Sequence, residues 1–82
     1  MTDTSAHPIR SLRQAGGVLR ARRAARKTSQ KQLGEMTGTA QSTISDIENG
    51  VVSVSLDVYL RLLEALGAEL SATDRIDYLG QR

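Results

Sequence analysis

The chain has no cysteine, no tryptophan and no phenylalanine, and it holds one histidine, one proline and two tyrosines in 82 residues. Without cysteine there is no disulfide and no thiolate metal site, an absence that fits a reducing compartment. The histidine, His7, stands beside Pro8 in a polar N-terminal run. With no second histidine and no cysteine, neither a zinc site nor a Ser/His or Cys/His nucleophile arrangement can be assembled. Gly16-Gly17 is not followed by the spacing of a phosphate loop or of a dinucleotide fingerprint. Enzymatic activity and a bound cofactor are therefore not expected. Residues 1–7 lack the apolar stretch of a signal peptide, and no apolar run approaches the roughly 18 residues of a membrane span.

What is present suits one small domain. Hydrophobic residues make up 39% of the chain, nearly all aliphatic, and an aliphatic core favours helices over a β-sandwich. A single core of this size buries only about 60–65% of the unfolded surface, so oligomerisation is a natural source of added stability.

Charge is unevenly distributed. Residues 1–34 hold Arg10, Arg13, Arg20, Arg22, Arg23, Arg26, Lys27 and Lys31 against the one acid Asp3, while residues 35–82 hold three basic and eight acidic residues. The halves carry +7 and −5, which add to the +2 of the whole chain. A phosphate-facing surface and a merely solvated arginine-rich helix both fit this asymmetry.

Helical periodicity runs from Ser11 to about Arg26, with Leu12, Ala15, Leu19 and Arg23 on an inner stripe and Arg13, Arg20 and Lys27 on a neighbouring outer one. Ser29 and Gln32 form a capping box that opens a second helix to about Met36. Gly38 marks a turn requiring positive φ, and Thr39 is expected to cap a third helix with Ile44 and Ile47 inside. That helix ends at Asn49-Gly50, with Gly50 suited to the position after the cap. Its Glu48 falls on the inner side, one helical turn after Ile44. Two helices thus each direct one charge inward, and Arg23 and Glu48 are expected to meet, because either alone would be costly to bury. On the outer side lie Gln41, Ser42, Ser45 and Asn49.

A fourth helix follows the Ser53/Ser55 cap region and ends at Gly67. Leu56, Tyr59, Leu60, Leu63 and Leu66 form one stripe, and Val58, Leu62 and Ala65 another. So wide an apolar face needs cover on two sides, from a second subunit or from this chain's own core. After Gly67 the period changes: Ala68, Leu70 and Ala72 alternate with Glu69, Ser71 and Thr73, as in a strand. Nothing else reads as β, so the ladder partner is expected from a second copy, giving a two-stranded ribbon in a symmetric homodimer. Leu62, Leu66, Leu70 and Ala72 are the expected dimerisation residues. The expected organisation is a disordered lead-in over 1–10, a helical domain over 11–67, a dimerising strand over 68–76 and a tail over 77–82.

Residues 30–49 carry the function. Gln30, Leu33, Gly34, Gly38, Ile44, Ile47 and the Ile47-Glu48-Asn49-Gly50 ending resemble the helix-turn-helix of the lambda-repressor-like (Cro/C1-type) family. The resemblance implies an all-α domain of four to five helices whose third helix enters the major groove of DNA through its N-terminal residues. It makes Ala40, Gln41, Ser42 and Ser45 the candidates for reading bases, with Gln41 able to bond adenine bidentately. Gln30, Lys31, Thr39, Thr43 and Arg20 become candidates for phosphate. It also pairs an arginine of the first helix with the glutamate of the ending, the Arg23–Glu48 pair that periodicity gives independently. Asp46 departs from the pattern, since a carboxylate there repels phosphate.

Residues 16–75 further resemble the HipB-type antitoxins of the Hip toxin–antitoxin modules, through the helix-turn-helix and through 63–73, which is similar to those antitoxins' last helix and dimerising strand. That resemblance implies a dimeric cytoplasmic, nucleoid-associated bacterial repressor of its own operon, bound to palindromic operators. Its implied protein partner is a HipA-like Ser/Thr kinase toxin. A stand-alone phage-like or metabolic repressor is the alternative.

Overall fold

Serines start three of the four helices. In the computed structural model, which describes residues 8–74, α1 spans Leu12–Ala25, α2 Gln30–Thr37, α3 Gln41–Glu48 and α4 Leu56–Ala65. The Ser11 hydroxyl accepts from the Gln14 amide at 3.1 Å and the Ser55 hydroxyl from the Val58 amide at 3.2 Å. At Ser29 the capping box is complete: its hydroxyl accepts from the Gln32 amide at 2.9 Å, and its own amide donates to Gln32 Oε1 at 2.8 Å. Each cap satisfies amides that the first turn of a helix leaves without partners. Gly38 closes α2 at φ 70°, a conformation glycine adopts without penalty.

The α3 start departs from expectation. Thr39 is not the cap; the cap falls one residue later, on Ala40, which offers no side-chain bond. The Ala40 carbonyl takes the first helical bond, from the Ile44 amide, at 3.1 Å. The Thr39 hydroxyl instead lies 3.0 Å from that of Thr37.

Every helix contributes to one core. Leu19 comes from α1, Leu33 from α2, Ile44 and Ile47 from α3, and Tyr59, Leu62 and Leu63 from α4, with Leu66 at its end. α3 lies between α1 and α2, and α4 packs against both of those. Each fully buried leucine or isoleucine contributes about 1.5–3 kcal/mol. The Tyr59 hydroxyl donates to the Ala15 carbonyl at 2.7 Å, fastening α4 to α1, and burial raises its pKa above the usual 10.0.

Three other expectations need correcting. Leu12 is 45% exposed, because α1 meets α3 through Gly16, Leu19 and Arg23, all beyond that first turn. Leu62 and Leu66 do not face a partner: they are 0% and 3% exposed and belong to the core. α4 is covered along Tyr59, Leu62, Leu63 and Leu66, while Leu56 and Leu60 stay exposed at 63% and 41%.

No strand is present among the described residues, and 68–74 carry no regular structure. A strand whose ladder partner belongs to a second chain has nothing to pair with here, and the expected strand's last two residues, 75 and 76, lie outside the described residues with the tail over 77–82. Of the expected N-terminal lead-in, residues 1–7 lie outside them too. Residues 8–10 are exposed and without regular structure. No helix among the described residues is long and apolar enough to cross a membrane.

Candidate nucleic-acid interface

The site is built on a charge that ought not to be inside. Glu48 ends α3 with its side chain fully buried, opposite Arg23 of α1, whose side chain is 16% exposed. Arg23 meets it with two parallel bonds, Nε to Oε2 at 2.7 Å and Nη2 to Oε1 at 2.9 Å. Its third nitrogen, Nη1, donates to the Thr28 carbonyl at 2.9 Å in the α1–α2 connection. A bidentate arginine–carboxylate pair is the geometry in which buried charges can offset their own desolvation.

Gln30, in the first turn of α2, joins the same carboxylate: Nε2 donates to Glu48 Oε1 at 3.0 Å. Outside this layer, Arg20 Nη2 donates to Asn49 Oδ1 at 2.9 Å, and Arg20 Nε lies 3.6 Å from Glu48 Oε1. Burial pushes the Glu48 pKa up, but the bonds from Arg23 and Gln30 and the charges of Arg23 and Arg20 outweigh it, and the net shift is downward. The bond to Glu48 raises Arg23 against the opposing effect of burial. One carboxylate therefore joins α1, the start of α2 and the end of α3.

Two glycines allow these helices to approach. A Cβ on Gly34 would run into the Thr39 carbonyl of the turn, and one on Gly16 would run into the carbonyls of Ile47 and Glu48. Gly34 is thus small because the turn folds back onto α2, while Gly16 lets α1 lie directly on the end of α3. With Leu33, Ile44 and Ile47 buried between them, α2 and α3 keep a fixed angle.

At its other end α3 is open. Ala40, Gln41, Ser42 and Thr43 are exposed, and Ser45 is half-buried. Among the described residues, Gln41, Ser42, Thr43 and Ser45 have no side-chain hydrogen bond. The first-turn amides of α3 have no side-chain cap, so they and the positive end of the helix dipole are available to an anion. Lys31 is exposed at the start of α2, and Asp46 is exposed on α3. Of the predicted base-reading residues, Ala40, Gln41 and Ser42 therefore stand free at the start of α3, with Ser45 half-buried about one turn further along. Of the predicted phosphate residues, Gln30 and Arg20 are drawn into the Glu48 network, whereas Lys31 and Thr43 are exposed and Thr39 half-buried.

Periodicity finds the Arg23–Glu48 pair. It misses Gln30 as a partner of Glu48, Asn49 as a partner of Arg20, and Gly16 as the place where α1 rests on the end of α3. The signal for Gly16 is a glycine on the inner stripe of α1, between Ala15 and Leu19; the other two bonds cross between helices and leave no periodic trace.

Comparison with known proteins agrees with this geometry. The model of the helix-turn-helix family matches residues 19–72. No curated protein matches the sequence. Among solved structures, HipB(S29A) in its O2 20mer complex is 26% identical, with a TM-score of 0.76 over 85% of this chain and 97% of that one. HipB within a HipA-HipB-O2-O3 complex is 25% identical, with a TM-score of 0.74 over 84% of this chain and 97% of that one. The clp gene regulator ClgR from C. glutamicum is 29% identical, with a TM-score of 0.68 over 82% of this chain and 85% of that one.

Proposed function

Because the chain belongs to the helix-turn-helix family, of the Cro/C1 type, with a DNA-binding fold like that of HipB, we propose that it is a sequence-specific transcriptional repressor and the antitoxin of a HipB-like type II module. It acts in the bacterial cytoplasm, has no catalytic role, represses its own operon from palindromic operators and neutralises a HipA-like Ser/Thr kinase toxin.

One observation carries the DNA reading: α3 is locked at Glu48 and left free at Ala40–Thr43. A helix held by α1 and the start of α2 at its far end presents Gln41, Ser42 and Ser45 in a fixed frame, and a fixed frame is what direct readout of bases requires. Gln41 reads a base pair, Ala40 and Ser42 touch its neighbours, and Lys31, Thr39, Thr43 and the outer hydrogens of Gln30 and Arg20 meet phosphates. The protein works as a homodimer through the strand over 68–76, where Leu70 and Ala72 are exposed, and its half-sites lie about 34 Å apart.

The toxin partner is supported by the likeness to HipB, including HipB within a HipA-HipB-O2-O3 complex. The likeness to ClgR favours the second reading, a regulator without a toxin. Purification of the tagged protein from its native cells, with identification of whatever travels at fixed stoichiometry, separates the two. A kinase-like chain is the expected result. Recovery of DNA and a second copy of itself alone would leave the stand-alone repressor, and recovery without DNA would remove both.

A further inference from the structure

Asp46 works against the helix that carries it. It lies in the last turn of α3, where no basic residue balances it, and an anion at the negative end of a helix dipole is unfavourable. The ion pairs among the described residues are two at Glu48 and one between Arg61 and Asp57; none involves Asp46. Its carboxylate is exposed and, among the same residues, accepts no side-chain hydrogen bond. A charge that the fold does not use is available to a ligand.

The position of Asp46 narrows what that ligand can be. It follows Ser42 by four residues and precedes Asn49 by three, spacings that share one helix face, and it stands about 6 Å beyond Ser42 along the axis. The other exposed residues of that side, Gln41, Ser42, Thr43 and Asn49, are uncharged, so no cation of α3 offsets it. Phosphate repels a carboxylate. In the major groove, by contrast, two base edges present a hydrogen-bond donor, the N4 amine of cytosine and the N6 amine of adenine. A carboxylate can only accept, so it can bond no other base edge. Adenine sets the acceptor N7 beside its amine, which a carboxylate also meets unfavourably, whereas cytosine presents no acceptor on that edge.

We infer that Asp46 is a specificity residue that accepts from cytosine N4 at a base pair beyond those met by Gln41 and Ser42. The inference rests on the DNA-binding reading and adds to it selection by exclusion. Over guanine or thymine, whose edges there are acceptors, the carboxylate is repelled, and on any duplex its charge opposes the phosphates. Asp46 therefore lowers affinity for DNA in general and lowers it least where a cytosine stands opposite.

The test uses the full chain with its preferred duplex, duplexes changed at single base pairs and a scrambled duplex. Asp46→Ala should bind the scrambled duplex several-fold more tightly than wild type. The gain should shrink as salt rises from about 50 to 200 mM, because salt screens the repulsion. On the single-change duplexes the variant should lose a preference for C·G at one pair, roughly fivefold or more in wild type, and keep the preferences at all others. Replacing that cytosine with 2-pyrimidinone, which lacks the N4 amine, should weaken wild type several-fold more than Asp46→Ala. The melting temperature should not fall, since the carboxylate has no partner to lose. Identical base preferences in the two proteins overturn the inference, as does an equal 2-pyrimidinone penalty. Loss of a preference for A·T at that pair would overturn the cytosine assignment. Wild type binding none of the duplexes would instead remove the DNA reading beneath it.

Discussion

The two ends of α3 are opposites. At its C-terminus one buried carboxylate receives Arg23 and Gln30, and Arg20 bonds Asn49 just outside. At its N-terminus the cap is an alanine with no side-chain bond, and Gln41, Ser42 and Thr43 stand exposed. Polar groups already bonded within the chain fix geometry, while polar groups left free can act on a ligand. Eight residues of one helix therefore divide into an anchor and a reader.

The comparison breaks most visibly at the anchor. Glu48→Ala leaves Arg23 facing the interior without its partner, and loss of one member of a buried pair costs about 3–5 kcal/mol. Against a total of about 5–15 kcal/mol for a small domain, denaturant unfolding should show the variant close to unfolded. A loss below about 1 kcal/mol would mean that Arg23 simply turns to water and that the pair anchors nothing.

Acid tests the same contact more gently. Glu48 titrates below its usual 4.5 in the folded chain, so the unfolded chain binds its proton first. The stability it contributes is whole above about 4.5 and declines as pH falls through the folded value. The melting temperature of wild type should therefore fall in that acid window more steeply than that of Glu48→Gln. Equal acid dependence would show that the carboxylate is not held by its partners.

Neighbouring glycines sharpen the distinction between anchor and surface. Gly16→Ala drives a methyl into the carbonyls of Ile47 and Glu48 and should destabilise by about 1–3 kcal/mol. Gly17→Ala enters open space and should stabilise the free protein by about 0.5–1 kcal/mol. Thermal melts of the pair that coincide would mean that α1 does not lie on α3 as described.

Local chemistry made much of this legible in the sequence. Ser11, Ser29 and Ser55 cap helices through bonds to residues three positions on, and Gly38 and Gly50 take positive φ at turns, so nearest neighbours suffice to place them. Arg23 and Glu48 were legible because a charge on an apolar stripe demands a partner, and each helix supplied one of opposite sign. By residue type Thr39 is the better cap, but its hydroxyl lies against that of Thr37, and Ala40 takes the cap position. Leu62 and Leu66 belong to the core and not to a dimer face, because a wide apolar face shows how much must be covered but not by which neighbour. The bonds from Gln30 and Arg20 join helices whose relative placement no periodicity contains, and pairing of residues 68–76 requires a second chain.

The division of α3 is tested most directly at its free end, by measuring Gln41→Ala for both stability and binding, on the preferred duplex and on duplexes changed at single base pairs. The variant should keep the melting temperature of wild type, lose about 1–3 kcal/mol on the preferred site and relax preference at one base pair only. An equal loss on every duplex, or a loss of stability in the free protein, would contradict that division.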